Sequence, residues 1–239
     1  MTRDTSGSRP EPPDLARLRR DYTGVGSIDA PGASGGTGAA GGLREEDLAG
    51  NWLRQFSAWL ADAIAAGLPE PNAMILGTAD PAGRPSARTV LLKGYDERGF
   101  VCYTNLRSRK ATEALANPYA SLVFPWFAMR RQVVVCGRVE AVSRDETEAY
   151  FALRPRGAQL GAWASPQSAV ITSRRQLEDA YAQAAAGFGD SVPAPPHWGG
   201  LRVVPETVEF WQGGGDRLHD RLRWRRVVDD MWLVERLAP

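Results

Sequence analysis

Residues 88–110 read RTVLLKGYDERGFVCYTNLRSRK. Within this stretch, residues 88–95 and 100–105 are rich in Val, Leu, Tyr and Thr and are joined by Asp96-Glu97-Arg98-Gly99, which predicts a β-hairpin. Ser108 is placed to cap a short helix through Ala111, Thr112, Glu113, Ala114 and Leu115 that stops at Asn117-Pro118. Arg109 and Lys110 then fall in the first turn of a helix, where the dipole disfavours cations. A bound anion reverses that sign, because helix starts with added basic side chains bind phosphate well. The stretch also holds both lysines of the chain, Lys93 and Lys110, although basic residues number 29 in all. Lysine is a compact point charge on a flexible stem, suited to a phosphate oxygen in a tight space. Arg88, Arg109 and Lys110 are therefore read as a candidate phosphate cradle, with a solvated basic loop as the alternative.

Toward the N-terminus, residues 73–79 (AMILGTA) predict a strand that turns through Asp80-Pro-Ala-Gly83 into the Arg88 stretch. Upstream of it, Trp52, Leu53, Phe56, Trp59, Leu60, Ala63 and Ile64 recur at helical spacing, with Gly67 as the stop, and read as core packing. Residues 1–13 are polar and Pro-rich and 24–42 are dominated by Gly, Ala and Ser. Segment 1–42 is thus expected to be flexible, with a short basic, helix-capable island at 14–22, followed by a single domain at 43–239.

Toward the C-terminus, 121–127 and 131–142 predict two strands, with Pro125 pointing to an edge or a bulge in the first. Ser143 and Glu146 form a capping box opening a helix to about Leu153, and Tyr150 and Arg154 share one face of it. A further helix, 174–186, runs from a Ser173 cap to Gly187. A strand at 201–211 and a hairpin of 217–226 with 231–237 complete the chain. Strand alternation sends Arg217, His219 and Arg221 to one face, where three cationic or titratable groups call for an anionic partner. Short-turned strands with inserted helices predict a mainly β, α+β fold: an antiparallel barrel or sheet with added helices.

The 239 residues leave ample room for a core, and 29 basic against 28 acidic residues give a net charge of +1. Bulk electrostatics therefore do not indicate a nucleic-acid or anionic-membrane surface. Cys102 and Cys136 lack framework spacing and are expected to be reduced. With no apolar leader or membrane-length run, a soluble cytoplasmic protein is expected. There is no Walker loop, no GxGxxG after a strand and no GxSxG elbow, and two histidines with two scattered cysteines make a metal site unexpected.

RTVLLKGYDERGFVCYTNLRSRKA, FPWFAMRRQVVVCGRVE, YFALRPRGAQLGAWASPQS and VEFWQGGGDRLHDRLRW, with the terminal ERLAP, resemble the pyridoxamine-phosphate oxidase family. The resemblance runs from about Leu43 to Pro239, and LRRDY at 18–22 resembles the family's N-terminal segment. It implies an FMN-binding split β-barrel, active as a homodimer through a C-terminal dimerisation and substrate region at 198–239, with FMN between the subunits. Positions matching FMN contacts are Arg88, Thr89, Val90, Leu91, Leu92, Lys93, Tyr103, Thr104, Arg109, Lys110, Gln132, Gln167, Ser168, Trp211 and Arg221. Positions matching substrate contacts are Lys93, Tyr150, Arg154, Arg217 and His219, the last two lying over the pyridine ring as the catalytic pair. The implied reaction oxidises C4′ of pyridoxamine or pyridoxine 5′-phosphate to the aldehyde, with O2 as acceptor and hydrogen peroxide as product.

Two departures accompany the resemblance. Ala158 stands where the family usually has a serine that contacts the substrate phosphate. The Gly-rich segment 24–42 is longer than expected, which bears on whether the 14–22 island acts as a lid. The competing readings are a split-barrel flavoprotein with another substrate, a carrier of FMN or pyridoxal phosphate without turnover, and a nucleic-acid module suggested only by Arg223, Arg225 and Arg226.

Overall fold

A computed structural model of the chain describes residues 42–228 and 231–239. The 14–22 island, nearly all of segment 1–42 and Asp229-Asp230 of the last turn lie outside the described residues.

Asn51 starts the first helix, α1 (Trp52–Ala65), its side chain accepting from the Arg54 amide at 2.8 Å. Most of the predicted apolar stripe faces inward: Trp52, Phe56, Trp59, Leu60 and Ala63 are buried and Leu53 is partly buried, whereas Ile64, at the end of the helix, is exposed. Phe56 meets Phe100 and Phe124 edge-on at 4.9 Å, in the middle of the main core. Such edge-to-face pairs add about 0.5–1.5 kcal/mol to the area they bury.

The helix packs on a nine-stranded antiparallel sheet in which β2 (Pro85–Leu91), β1 (Ala73–Ala79), β5 (Tyr119–Trp126), β6 (Arg131–Ala141), β7 (Trp198–Gln212), β4 (Gly99–Asn105) and β3 (Gly94–Asp96) lie side by side in that order. β7 is the branch point: Trp198–Val203 pair with β4, whereas Thr207–Gln212 pair with β8 (Asp220–Val228), which continues to β9 (Met231–Arg236). The opposite edge of β7 follows β6 through a register shift at Cys136/Gly137. There the strands approach so closely that a Cβ on Gly137 would run into the Val204 carbonyl, so only glycine fits. The sheet thus forks and curls at one point.

The hairpin read at 88–105 forms differently from expectation. Residues 88–91 belong to β2 and pair with β1; only β3 pairs with β4 across the Asp96–Gly99 turn. The switch falls at one peptide, with the Leu92 amide donating to Asn72 and the Lys93 amide to Val101, each at 2.8 Å. Both sides of the switch are extended; which partner each takes is decided by the rest of the sheet. Pro125 sits within β5 beyond the β1 ladder, which ends at Val123, so it occupies a locally open edge.

The Ser143 cap is formed, its hydroxyl accepting from the Glu146 amide at 3.2 Å at the start of α3 (Arg144–Ala152). The Glu146 carboxylate turns instead to Arg98 and Arg202, each at 3.0 Å. A helix absent from the sequence reading, α4 (Arg156–Ala164), follows directly, opened by Pro155. Gly157 and Gly161 lower its propensity, and it is held by burying Leu160 against Phe151, Val192 and Trp198 in a second, smaller core. α5 (Arg174–Gly187) starts at the expected Ser173 cap. No described helix is long and apolar enough to cross a membrane.

Candidate functional site

The second core presents one wall of a cleft of about 650 Å³, within the roughly 300–1,000 Å³ range usual for small-molecule sites. Its floor comes from β2 and the switch residue Lys93, its end from the start of α2 (Arg109–Ala116), and its far wall from α3, α4 and the first residue of β7. Ten predicted residues line it: Thr89, Val90, Leu91, Lys93, Tyr103, Thr104, Lys110, Tyr150, Arg154 and Gln167. The lining carries three cations, Lys93, Lys110 and Arg154, and no carboxylate.

Lys110 reaches over the first turn of α2 to neutral oxygens, Thr104 Oγ1 at 3.1 Å and Gln167 Oε1 at 2.9 Å. Ser108 stands at the expected cap position, but its hydroxyl does not cap; it is fully buried and lies 3.4 Å from the lysine. Burial, and then the Arg88 charge, push the Lys110 pKa down. This is a cation held where an anion would relieve it.

Arg88 and Arg109 do not line this cleft, Arg109 opening instead onto a neighbouring one, and the two arginines meet at Glu113. Arg109 Nε is 2.7 Å from that carboxylate, and Arg88 stands 3.5 Å away. Burial pushes the Arg88 pKa down, and Glu113 partly restores it.

At the other end, Tyr103 stacks on Tyr150 at 4.2 Å and on Trp198 at 5.3 Å, with planes within 13° and 8° of parallel. Burial raises the pKa of both tyrosines, so each hydroxyl remains a neutral donor at neutral pH. Arg154 falls just past the end of α3; its guanidinium lies 4.6 Å from the Trp198 ring centre and donates to the Ala158 carbonyl at 3.0 Å. Burial lowers its pKa as well.

Not every predicted residue joins the cleft. The Leu92 side chain is buried in the main core, and its backbone amide and carbonyl both pair with Asn72. Ser168, with a left-handed φ of 73°, lines a neighbouring cleft of about 850 Å³ that shares Asn105, Ser165 and Gln167 with the first.

Gln132, Trp211, Arg217, His219 and Arg221 gather at the far end of β7. Gln132 and Trp211 are ladder partners, and His219 lies 4.7 Å from the Trp211 ring with Nδ1 accepting from the Gly214 amide at 3.2 Å. The expected strand face is corrected here. β8 begins at Asp220, and Arg217 and His219 lie in the turn before it, with Asp216 and Arg217 at φ of 51° and 63°. Alternation does not apply to a backbone bent this way. Arg221 is in β8, with Glu209 at 2.7 Å and 3.0 Å.

Glu113, Ser108 and Trp198 were not read as site residues. Glu113 had a signal, its spacing of four from Arg109 on a helix; Trp198 had none, since its wall is built from three separate segments.

The donor set suits a ligand with a phosphate and a flat, partly apolar ring, as FMN has. Lys110 supplies a cation at one end and Arg154 at the other, with Lys93 in the floor, and Val90, Leu91 and Tyr103 supply surface along the cleft.

The sequence matches the family model described as pyridoxamine 5′-phosphate oxidase over residues 60–186, and that of the pyridoxine 5′-phosphate oxidase C-terminal dimerisation region over 198–239. It is 64% identical over 200 residues to the pyridoxine/pyridoxamine 5′-phosphate oxidase of Salinispora arenicola, covering 83% of this chain and 90% of that protein. With the protein of the same description from Frankia alni, identity is 56% over 237 residues, covering 95% and 98%. Among solved structures, PhzG from Burkholderia lata 383 in complex with tetrahydrophenazine-1-carboxylic acid superposes with a TM-score of 0.77 at 31% identity, covering 82% of this chain and 98% of that one. A pyridoxamine 5′-phosphate oxidase-related, FMN-binding protein from Nostoc punctiforme shares the fold, with a TM-score of 0.65 at 20% identity and coverage of 80% and 100%. The forked, curled antiparallel sheet is thus the split barrel, and the chain belongs to the pyridoxine/pyridoxamine 5′-phosphate oxidase family.

Proposed function

We propose that the chain is a pyridoxine/pyridoxamine 5′-phosphate oxidase that uses FMN and acts as a homodimer. The alcohol and O2 give pyridoxal 5′-phosphate and hydrogen peroxide; the amine also consumes water and releases ammonia. The observation that carries this reading is the cleft whose wall holds Lys93, Lys110 and Arg154 without any carboxylate.

Bound FMN would supply two-electron oxidation with O2 as the final acceptor. The polypeptide would do the rest. Arg88, Arg109 and Lys110 hold the cofactor phosphate by charge-assisted hydrogen bonds, and Thr104 and Gln167 keep Lys110 aimed at it. Lys93, Tyr150 and Arg154 hold the substrate phosphate. The rings of Tyr103, Tyr150 and Trp198 fix the width of the slot, so that the reacting carbon is positioned rather than diffusing.

Arg217, His219, Gln132, Trp211 and Arg221 serve the site of the second copy. Tyr103 is opposite Gly200 on β7 and Gln132 is opposite Trp211; eleven residues (211 minus 200) correspond to about 36 Å of extended strand. One small ligand cannot span that distance along the sheet. Arg217 and His219 orient the pyridine ring and ease loss of a proton at the C4′ substituent. Residues 43–239 form one domain in this reading, and the cytoplasm is its setting, consistent with Cys102 and Cys136 both being free thiols.

Ala158 favours a second reading, a flavoprotein of another substrate, because no hydroxyl faces Arg154 at that point of the lining. One experiment separates the two. The FMN-loaded protein is assayed for hydrogen peroxide and aldehyde with pyridoxamine and pyridoxine 5′-phosphates, each beside its unphosphorylated form. Turnover of the phosphorylated compounds is expected; a yellow protein that oxidises neither would overturn the reading.

A further inference from the structure

Glu113 is 6% exposed and sits on the inner face of α2, directly behind the cationic end of the cleft. Oε2 accepts from the Thr78 hydroxyl at 2.6 Å and from the Ser86 hydroxyl, and Oε1 accepts from Arg109 Nε at 2.7 Å. The same two hydroxyls receive Arg88: Nη1 donates to Thr78 at 2.6 Å and Nη2 to Ser86. Nη1 also donates to the Leu76 carbonyl at 3.1 Å.

The polarity of this arrangement is set by the carboxylate. An ionised carboxylate only accepts, so Thr78 and Ser86 must spend their single protons on Glu113 and turn their lone pairs toward Arg88. Each hydroxyl then accepts from the guanidinium, which is held in one orientation on the β1–β2 hairpin. Glu113 is also the counter-charge that lets Arg88 and Arg109 stand beside half-buried Lys110 before any phosphate arrives.

We propose that Glu113 is a positioning residue for the cofactor phosphate, orienting Arg88 and Arg109 through its carboxylate and through the Thr78 and Ser86 hydroxyls. The proposal rests on reading Arg88, Arg109 and Lys110 as the phosphate cradle. It assigns a buried anion the task of strengthening anion binding, the reverse of what its charge alone would do. Glu113→Gln is the informative change because it keeps shape and volume. A glutamine amide can place its one oxygen on the Thr78 and Ser86 hydroxyls or on Arg109 but not on both, and its NH2 presents donors to whichever is left.

The test is titration of the apoprotein with FMN and with riboflavin, which lacks the phosphate, followed by quenching of flavin fluorescence. Wild type should prefer FMN. In Glu113→Gln the FMN dissociation constant should rise by about tenfold or more, as for loss of charge-assisted hydrogen bonding, while that of riboflavin stays unchanged. Ser86→Ala, which leaves the carboxylate in place, should move FMN affinity in the same direction by a smaller factor and carries the test should the glutamine variant fail to fold. Equal weakening of both flavins would mean a merely structural role, and unchanged or tighter FMN binding would mean that Glu113 only competes with the phosphate; either overturns the proposal. A wild-type protein that binds both flavins equally would remove the cradle itself.

Discussion

Arg154 lies with its guanidinium 4.6 Å from the centre of the Trp198 ring, so a cation of the cleft is seated on the first residue of the longest strand. Trp198 is 5% exposed and also stacks on Tyr103 and Tyr150. Trp198→Leu should therefore raise the KM for the phosphorylated substrate by roughly 2- to 30-fold, the equivalent of one cation–π contact of about 0.5–2 kcal/mol. Trp198→Phe, which keeps a ring face, should raise it less. Steady-state kinetics on both variants decide the matter; a fall in kcat with KM unchanged would place Trp198 elsewhere in the mechanism.

Ala158 has its carbonyl on Arg154 and its side chain on the cleft. Ala158→Ser adds a donor at the place where the substrate phosphate would lie. A hydrogen bond to a charged group contributes about 1.5–3 kcal/mol, so KM should fall by about tenfold or more. An unchanged KM would mean that another group already fills the position.

Lys110 is desolvated and has only neutral oxygens around it. Lys110→Met should weaken FMN binding by about 10- to 100-fold while leaving the apoprotein as stable as wild type or more so, because a poorly solvated charge is removed. Fluorescence titration and thermal melts of the flavin-free protein read the two effects separately. A variant that melts lower and binds FMN normally would contradict both.

The separation of the two residue clusters along β7 predicts complementation between chains. His219→Ala and Arg154→Ala should each lower turnover sharply, with the His219 variant remaining yellow. Mixed in equal amounts after dissociation and reassociation, half the dimers are mixed and each has one intact site of two, so activity should recover to about a quarter of wild type. No recovery would mean that both clusters serve one site from a single chain.

Acid stability should depend on Glu113. Burial raises its pKa, but hydrogen bonds from Ser86, Thr78 and Arg109 outweigh this and hold it at about 2, below the usual 4.5. The folded value is depressed, so the contribution is complete above the unfolded value and is lost as pH falls from about 4.5 toward 2. Urea midpoints at about pH 5 and about pH 3 should differ more for wild type than for Glu113→Gln. Equal differences would mean that the carboxyl titrates normally in the folded protein.

Much of this protein was legible from local patterns, because the forces behind them act over a few residues. The α1 stripe, the Ser143 and Ser173 caps and strand β1 follow from side-chain period, cap chemistry and turn residues, and a helix does start at Arg109 although the Ser108 hydroxyl does not cap it. Arg88, Arg109 and Lys110 could be grouped for the same reason. What the sequence by itself could not decide is which strand takes which partner. Residues 88–95 look like one strand and are divided at Lys93 because β1 claims the first part and β4 the second. Arg217 and His219 look like strand residues and lie in a turn, since the ladder on β7 begins only at Asp220. Glu113 and Trp198 acquire their places from neighbours 27 and 95 positions away, Ser86 and Tyr103 (113 − 86 and 198 − 103). Pairing and burial between distant segments are settled by the closure of the whole sheet, and no local propensity encodes them.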